Sequence, residues 1–164
     1  MFFIPGQIYG QQIKHLGVYD GIRSGAVRAF EKDSLGYMWI GTSQGLNRYS
    51  GYQFKNYDKF LSSGVVDIIS ENGNLFVLGA KGELLQYSYE QDTFKQILAL
   101  KNVKFLSFKI LNSTTIIIGL QKGLLVYDLE SKSLSKVLHY NAMFNRRIHL
   151  KENKIYVATT KGTI

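Results

Sequence analysis

The sequence predicts an all-β chain built from a repeated four-stranded unit, and three observations predict it. Tyr 11, Phe 10 and Gly 16 against a single proline describe short aromatic strands broken by glycine turns. Three segments share one plan: YMWIGTSQGLNRY at 37–49, LFVLGAKGELLQY at 75–87 and IIIGLQKGLLVY at 116–127. In each, an apolar run, a glycine, a polar turn with a second glycine and another apolar run lead to a tyrosine. The positions Gly41, Gly79, Gly119 and Ala158 are spaced by 38, 40 and 39 residues, and each glycine precedes its tyrosine (Tyr49, Tyr87, Tyr127) by eight.

Each repeat resolves into four strands. The first strands are 27–33, 65–70, 104–111 and 147–152. The second are 37–42, 75–80, 115–120 and 154–160. The third are 45–50, 83–89 and 123–129, with Thr163 and Ile164 beginning a fourth copy. The last are 53–58, 93–99 and 133–139. Ser34-Leu35-Gly36, Glu71-Asn72-Gly73 and Asn112-Ser113-Thr114 supply turn residues at matching places. Helical repeats of similar length need apolar residues at i, i+3 and i+4, and these runs are continuous and β-branched instead. A period near 40 with four strands is that of a β-propeller blade. The expected architecture is a β-propeller fragment of about three and a half antiparallel blades. Blade 1 is 27–58, blade 2 is 65–99, blade 3 is 104–139 and a partial blade 4 is 147–164. IKHLGVYDGIRSGAV parallels FKNYDKFLSSGVV, so 13–26 reads as the outer strand of a closing blade plus a loop. Residues 1–12 read as a signal-peptide remnant or a tail. With a blade open at either end, the chain is expected to leave apolar faces uncovered and to self-associate as a homo-oligomer.

Charge is uneven. Residues 1–59 carry +3, 60–100 carry −3 and 101–164 carry +8. A basic segment attracts polyanions, although a solvated lysine surface reads the same way. With no cysteine, disulfides and thiolate metal sites are excluded. No 18-residue apolar stretch is present. The glycines form neither GxGxxG nor GxxxxGK[ST], which leaves no nucleotide loop. His15, His139 and His149 have no helical pairing and no carboxylate cluster, so no metal, no cofactor and no catalytic residue is expected.

WIGTSQGLNRYSGYQFKNY, preceded by VRAFEKDSLGYM, resembles the two-component regulator propeller repeat. Asp33, Gly36, Trp39, Ile40, Gly41, Thr42, Gly45, Leu46, Arg48 and Tyr49 carry the likeness. Blades 2 and 3 keep only the glycines, the apolar runs and the tyrosine. The resemblance implies a periplasmic sensor region of a Bacteroides-type hybrid histidine kinase, anchored in the inner membrane and followed by further blades. The cue it implies is an oligosaccharide that regulates glycan-use genes. It makes the rest of the parent sensor a partner and the chain itself non-catalytic. A protein-interaction or dimerisation scaffold is the alternative. Some related propellers are lyases, which the sparse histidines disfavour, and nucleic acid is not an expected partner.

Structural roles are expected for Trp39, Gly41, Gly45, Tyr49, Gly79, Gly82, Tyr87, Gly119, Gly123 and Tyr127, with Asp33 holding its own turn. Ligand contacts are expected from the loops between blades and between second and third strands: Tyr19, Arg23, Lys122, Tyr140, Arg146 and Arg147. Aromatic and guanidinium groups together suit an anionic oligosaccharide carrying carboxylate or sulfate.

Overall fold

The computed structural model describes residues 13–24, 26–57, 59, 61, 64–121, 123–138, 147–152, 154–159 and 162–163. Their strands form four antiparallel sheets, each ordered as the chain runs. Sheet 1 is β1 (Val27–Lys32), β2 (Met38–Thr42), β3 (Gly45–Tyr49) and β4 (Phe54–Asn56). Sheet 2 is β5 (Val65–Glu71), β6 (Asn74–Gly79), β7 (Glu83–Ser88) and β8 (Thr93–Ala99). Sheet 3 is β9 (Phe105–Ile110), β10 (Thr115–Leu120), β11 (Gly123–Asp128) and β12 (Leu134–Leu138). Sheet 4 is β13 (Arg147–Lys151), β14 (Lys154–Thr159) and β15 (Gly162–Thr163).

Local chemistry sets the turns. Between β1 and β2, Asp33 Oδ1 accepts the N–H groups of Leu35 (3.0 Å) and Tyr37 (2.9 Å). Between β5 and β6, Asn72 (φ 51°) and Gly73 (φ 75°) form the two-residue loop whose left-handed backbone matches strand twist. Between β9 and β10, Asn112 Oδ1 takes the N–H groups of Thr114 and Thr115.

The sheets stack face to face like blades. In β6, Leu75 and Val77 enter the core shared with sheet 1, while Phe76 and Leu78 enter the core shared with sheet 3. In β10, Ile116 and Ile118 face sheet 2 and Ile117 faces sheet 4. A strand covered on both faces reads as a continuous apolar run. Adjacent sheets meet through their first strands, β1 on β5, β5 on β9 and β9 on β13, so these four strands lie innermost. Gly41 permits that approach: a Cβ there would lie 2.5 Å from Val65 Cγ1.

Residues 13–17 are not in a strand among the described residues, and Ile13 is 97% exposed. The chain instead makes a 3₁₀ turn at Val18–Asp20, closed by Gly17 N–H donating to Asp20 Oδ2 at 2.8 Å. It then docks on sheet 1, where Ile22 is buried and Arg23 N–H donates to the buried Asn47 Oδ1 at 3.0 Å.

Candidate functional site

Bulges build the inner surface. β1 slips register between Val27 and Ala29, and β5 between Val65 and Asp67. In β9, Phe105 and Ser107 face consecutive residues of β10. The extra residues are Arg28, Val66 and Leu106. A bulge re-aims its side chain, and all three line one groove with Asp67, Lys109, Arg147 and His149. Its volume is about 470 Å³, within the usual range of ligand sites. A second cavity shares Arg28, Val66 and Leu106 and adds Lys104. A third continues from Lys104 to Lys81 and Lys101 on the loops. The tract thus runs from the loop face into the innermost strands. Arg28, Lys81, Lys101, Lys104, Lys109 and Arg147 line it against one carboxylate among the described residues, Asp67.

Asp67 is committed to the fold. Its Oδ1 accepts the Ile68 N–H at 3.0 Å, and the Phe108 N–H of the next sheet also reaches the carboxylate. Burial raises its pKa above the ordinary value, against the pull of these N–H groups and of Lys109 and Arg147. Glu31 makes the same kind of link one blade earlier, where Oε1 accepts the Ser70 N–H at 3.0 Å. Burial raises its pKa too, with the Ser70 hydrogen bond opposing. Each carboxylate satisfies an inner-strand N–H of its neighbour, which otherwise has no ladder partner. Ser107 also lines the groove, and its buried hydroxyl has no hydrogen-bond partner among the described residues.

A second polar cluster ties blades 1 and 2 farther out. Arg48 Nη1 donates to Tyr87 Oη (2.7 Å) and Asp92 Oδ1 (2.9 Å) and lies over the Tyr37 ring, 4.4 Å from its centre. Tyr57 Oη donates to Asp92 Oδ1 at 2.6 Å, and Tyr87 and Lys55 donate to the same carboxylate. Burial works against the Asp92 charge, but these donors and the guanidinium outweigh it and hold the carboxyl well below the usual range. Burial, with the hydrogen bond to Asp92, pushes Tyr87 up to about 12. Trp39 is fully buried beneath, its Nε1 donating to Asp33 Oδ2 at 2.7 Å and its ring packed on Tyr57, Tyr87 and Phe94. Tyr127 makes the corresponding stitch from blade 3, donating to the Ile97 carbonyl of blade 2 at 2.8 Å. Arg48, Lys55 and Tyr57 of blade 1 all bond Asp92 of blade 2, so the cluster clamps the two blades together.

Of the expected ligand contacts, Arg147 lines the groove. Tyr19, fully exposed on its 3₁₀ turn, and Arg23 lie beside sheet 1 and are not among its lining residues. Lys122, Tyr140 and Arg146 lie outside the described residues. Sequence reasoning missed Arg28 and Lys109, which read as ordinary polar positions of alternating strands. Among the repeat residues, Gly45, Gly82 and Gly123 open the third strands with positive φ, and Gly79 approaches Leu61 as Gly41 approaches Val65. Gly119 stands beside the bulge of sheet 3, and the Tyr49 hydroxyl donates locally to the Gly51 carbonyl.

The architecture is that of β-propeller blades, and comparison with known proteins specifies the repeat. The family described as "Two component regulator propeller" matches residues 21–44, which span β1 and β2 of the first blade. Histidine kinase P4 of Formosa agariphila is 42% identical over 38 residues, 23% of this chain and 3% of that protein. Among solved structures, the extracellular domain of the putative hybrid two component system BT4673 from B. thetaiotaomicron is 25% identical. It has a TM-score of 0.66 over 84% of this chain and 19% of that one. The corresponding domain of BT3049 from the same organism has a TM-score of 0.72 at 16% identity, covering 88% of this chain and 23% of that one. The chain therefore spans a quarter or less of each of these relatives.

Proposed function

We propose that this chain is part of the periplasmic sensor region of a membrane-anchored hybrid two-component histidine kinase. It reads an oligosaccharide cue that controls glycan-use genes. The observation that carries the reading is the two-component regulator repeat at 21–44, set in blades similar to the extracellular domain of a hybrid two-component system. The open groove along the innermost strands supports it, because it supplies a concave surface that the fold's own side chains leave unfilled. The chain acts by binding, and phosphoryl transfer belongs to other parts of the parent protein. Calorimetric titration of the purified chain with a panel of plant, algal and host polysaccharide fragments tests this. Saturable binding of one glycan class is expected. Absence of glycan binding, with tight self-association or capture of a second sensor copy, would replace it with the scaffold reading.

A further inference from the structure

Resting on that reading, we infer that the inner-strand groove seats an acidic substituent of the sensed sugar, a sulfate or carboxylate, between Arg28, Lys109 and Arg147. The three side chains come from β1, β9 and β13, three different blades, and converge on one cavity. Scattered surface lysines serve solubility without converging. Among the described residues, none of the three makes an ion pair. The one lining carboxylate, Asp67, already accepts the Ile68 and Phe108 N–H groups.

The groove therefore carries an excess of positive charge on exposed side chains, which an oxyanion would balance. Guanidinium groups from two blades offer forked donors to its oxygens, and the Lys109 ammonium offers a point charge. Lys104, Lys101 and Lys81 extend the cationic lining to the loop face, so a second acidic group on the same oligosaccharide meets further cations. A volume of about 470 Å³ admits a sugar-sized group with its substituent.

The test is calorimetry at low and moderate salt on the full chain and on Lys109→Gln, Arg147→Gln and Lys151→Gln. The last removes an exposed cation from the same strand as Arg147 but outside the groove. The probes are a sulfated disaccharide, its desulfated counterpart, a uronate disaccharide and inorganic sulfate. Thermal melts confirm that each variant folds. Binding of the sulfated or uronate sugar, weakened about tenfold by either groove variant, unchanged in Lys151→Gln and reduced by salt, supports the inference. Preference between the two sugars identifies the substituent. Equal binding of the desulfated sugar, indifferent to Lys109→Gln and Arg147→Gln, overturns the anion site and leaves glycan sensing standing. Inorganic sulfate bound in a Lys109-dependent way, with no sugar bound, keeps the anion site and overturns the glycan reading. No response to any probe overturns both.

Discussion

Gly41→Ala isolates the contact that lets two blades pack. The added Cβ would lie 2.5 Å from Val65 Cγ1, 2.7 Å from Val65 Cβ and 3.3 Å from Ile68 Cδ1. Both neighbours belong to the next sheet, and Val65 is fully buried. Two effects oppose. Alanine restricts the unfolded chain and stabilises by about 0.4–1 kcal/mol where the backbone accepts it. The backbone at 41 does, since its φ lies outside the left-handed region and the fourth repeat carries Ala158 at this place. Overpacking a close-packed interface costs about 1–3 kcal/mol. At 2.5 Å against the stem of a β-branched side chain, relief by rotation is small, so the steric cost wins and net destabilisation of about 1–2 kcal/mol is expected. Val65→Ala removes Cγ1, the nearest obstructing atom, and leaves Cβ at 2.7 Å, so it relieves the contact in part. The double variant should therefore lose less than the two single losses together, with a coupling above about 0.5 kcal/mol. Urea denaturation of the four proteins, with unchanged slopes, measures the cycle. A neutral Gly41→Ala, or strict additivity with Val65→Ala, would refute the close approach of the blades.

Further expectations follow from the same contacts. Trp39→Phe strands the Asp33 carboxylate oxygen and replaces the indole of the inter-blade cluster by a smaller ring; it should cost about 2–4 kcal/mol by denaturation, and a loss under 1 kcal/mol would count against the cluster. Asp92 has a depressed pKa, so its stabilisation is present above the ordinary aspartate pKa and is lost as pH falls through the lower folded value. With its side chain 40% exposed, screening keeps the contribution to about 1 kcal/mol or less; Asp92→Asn should flatten the acid limb of a stability–pH curve, and an unchanged limb would contradict the clamp. Asp67 carries the opposite sign: its folded pKa is raised, so the stability it contributes is greatest below the ordinary pKa and falls as pH rises through the folded value. Carbon-detected NMR titration should place its carboxyl above the ordinary aspartate range, and a value at or below that range would contradict its burial. Phe30 is 62% exposed on β1, next to Ala29, which packs toward sheet 2; sedimentation at micromolar concentration should show self-association weakened by Phe30→Ser, and a monomer in both proteins would oppose it.

The all-β propeller fold is legible because strands such as β6 and β10 are covered on both faces and so become short apolar runs between glycines at a fixed period. Residues 13–16 resemble the outer strand of a blade in composition, but a strand needs a hydrogen-bonded partner, and none of the described strands pairs with them. The groove was less legible. Arg28 and Lys109 sit in inner strands where alternation already accounts for a polar residue, and the bulge that re-aims Arg28 leaves no signature in VRAFEK. Arg28, Asp67, Lys109 and Arg147 are each about 40 residues from the next, so only the stacking of blades brings them to one cavity. The clamp of Arg48 on Asp92, 44 residues away, was hidden for the same reason.

Amide chemical-shift mapping of the isotopically labelled chain, titrated with acidic oligosaccharides, tests the central claim most directly. The account predicts saturable shifts that gather on β1, β5, β9 and β13, strongest at Arg28, Lys109 and Arg147, and that weaken as salt is raised. Shifts confined to the outer strands β4, β8 and β12, or none at saturating sugar, would contradict it.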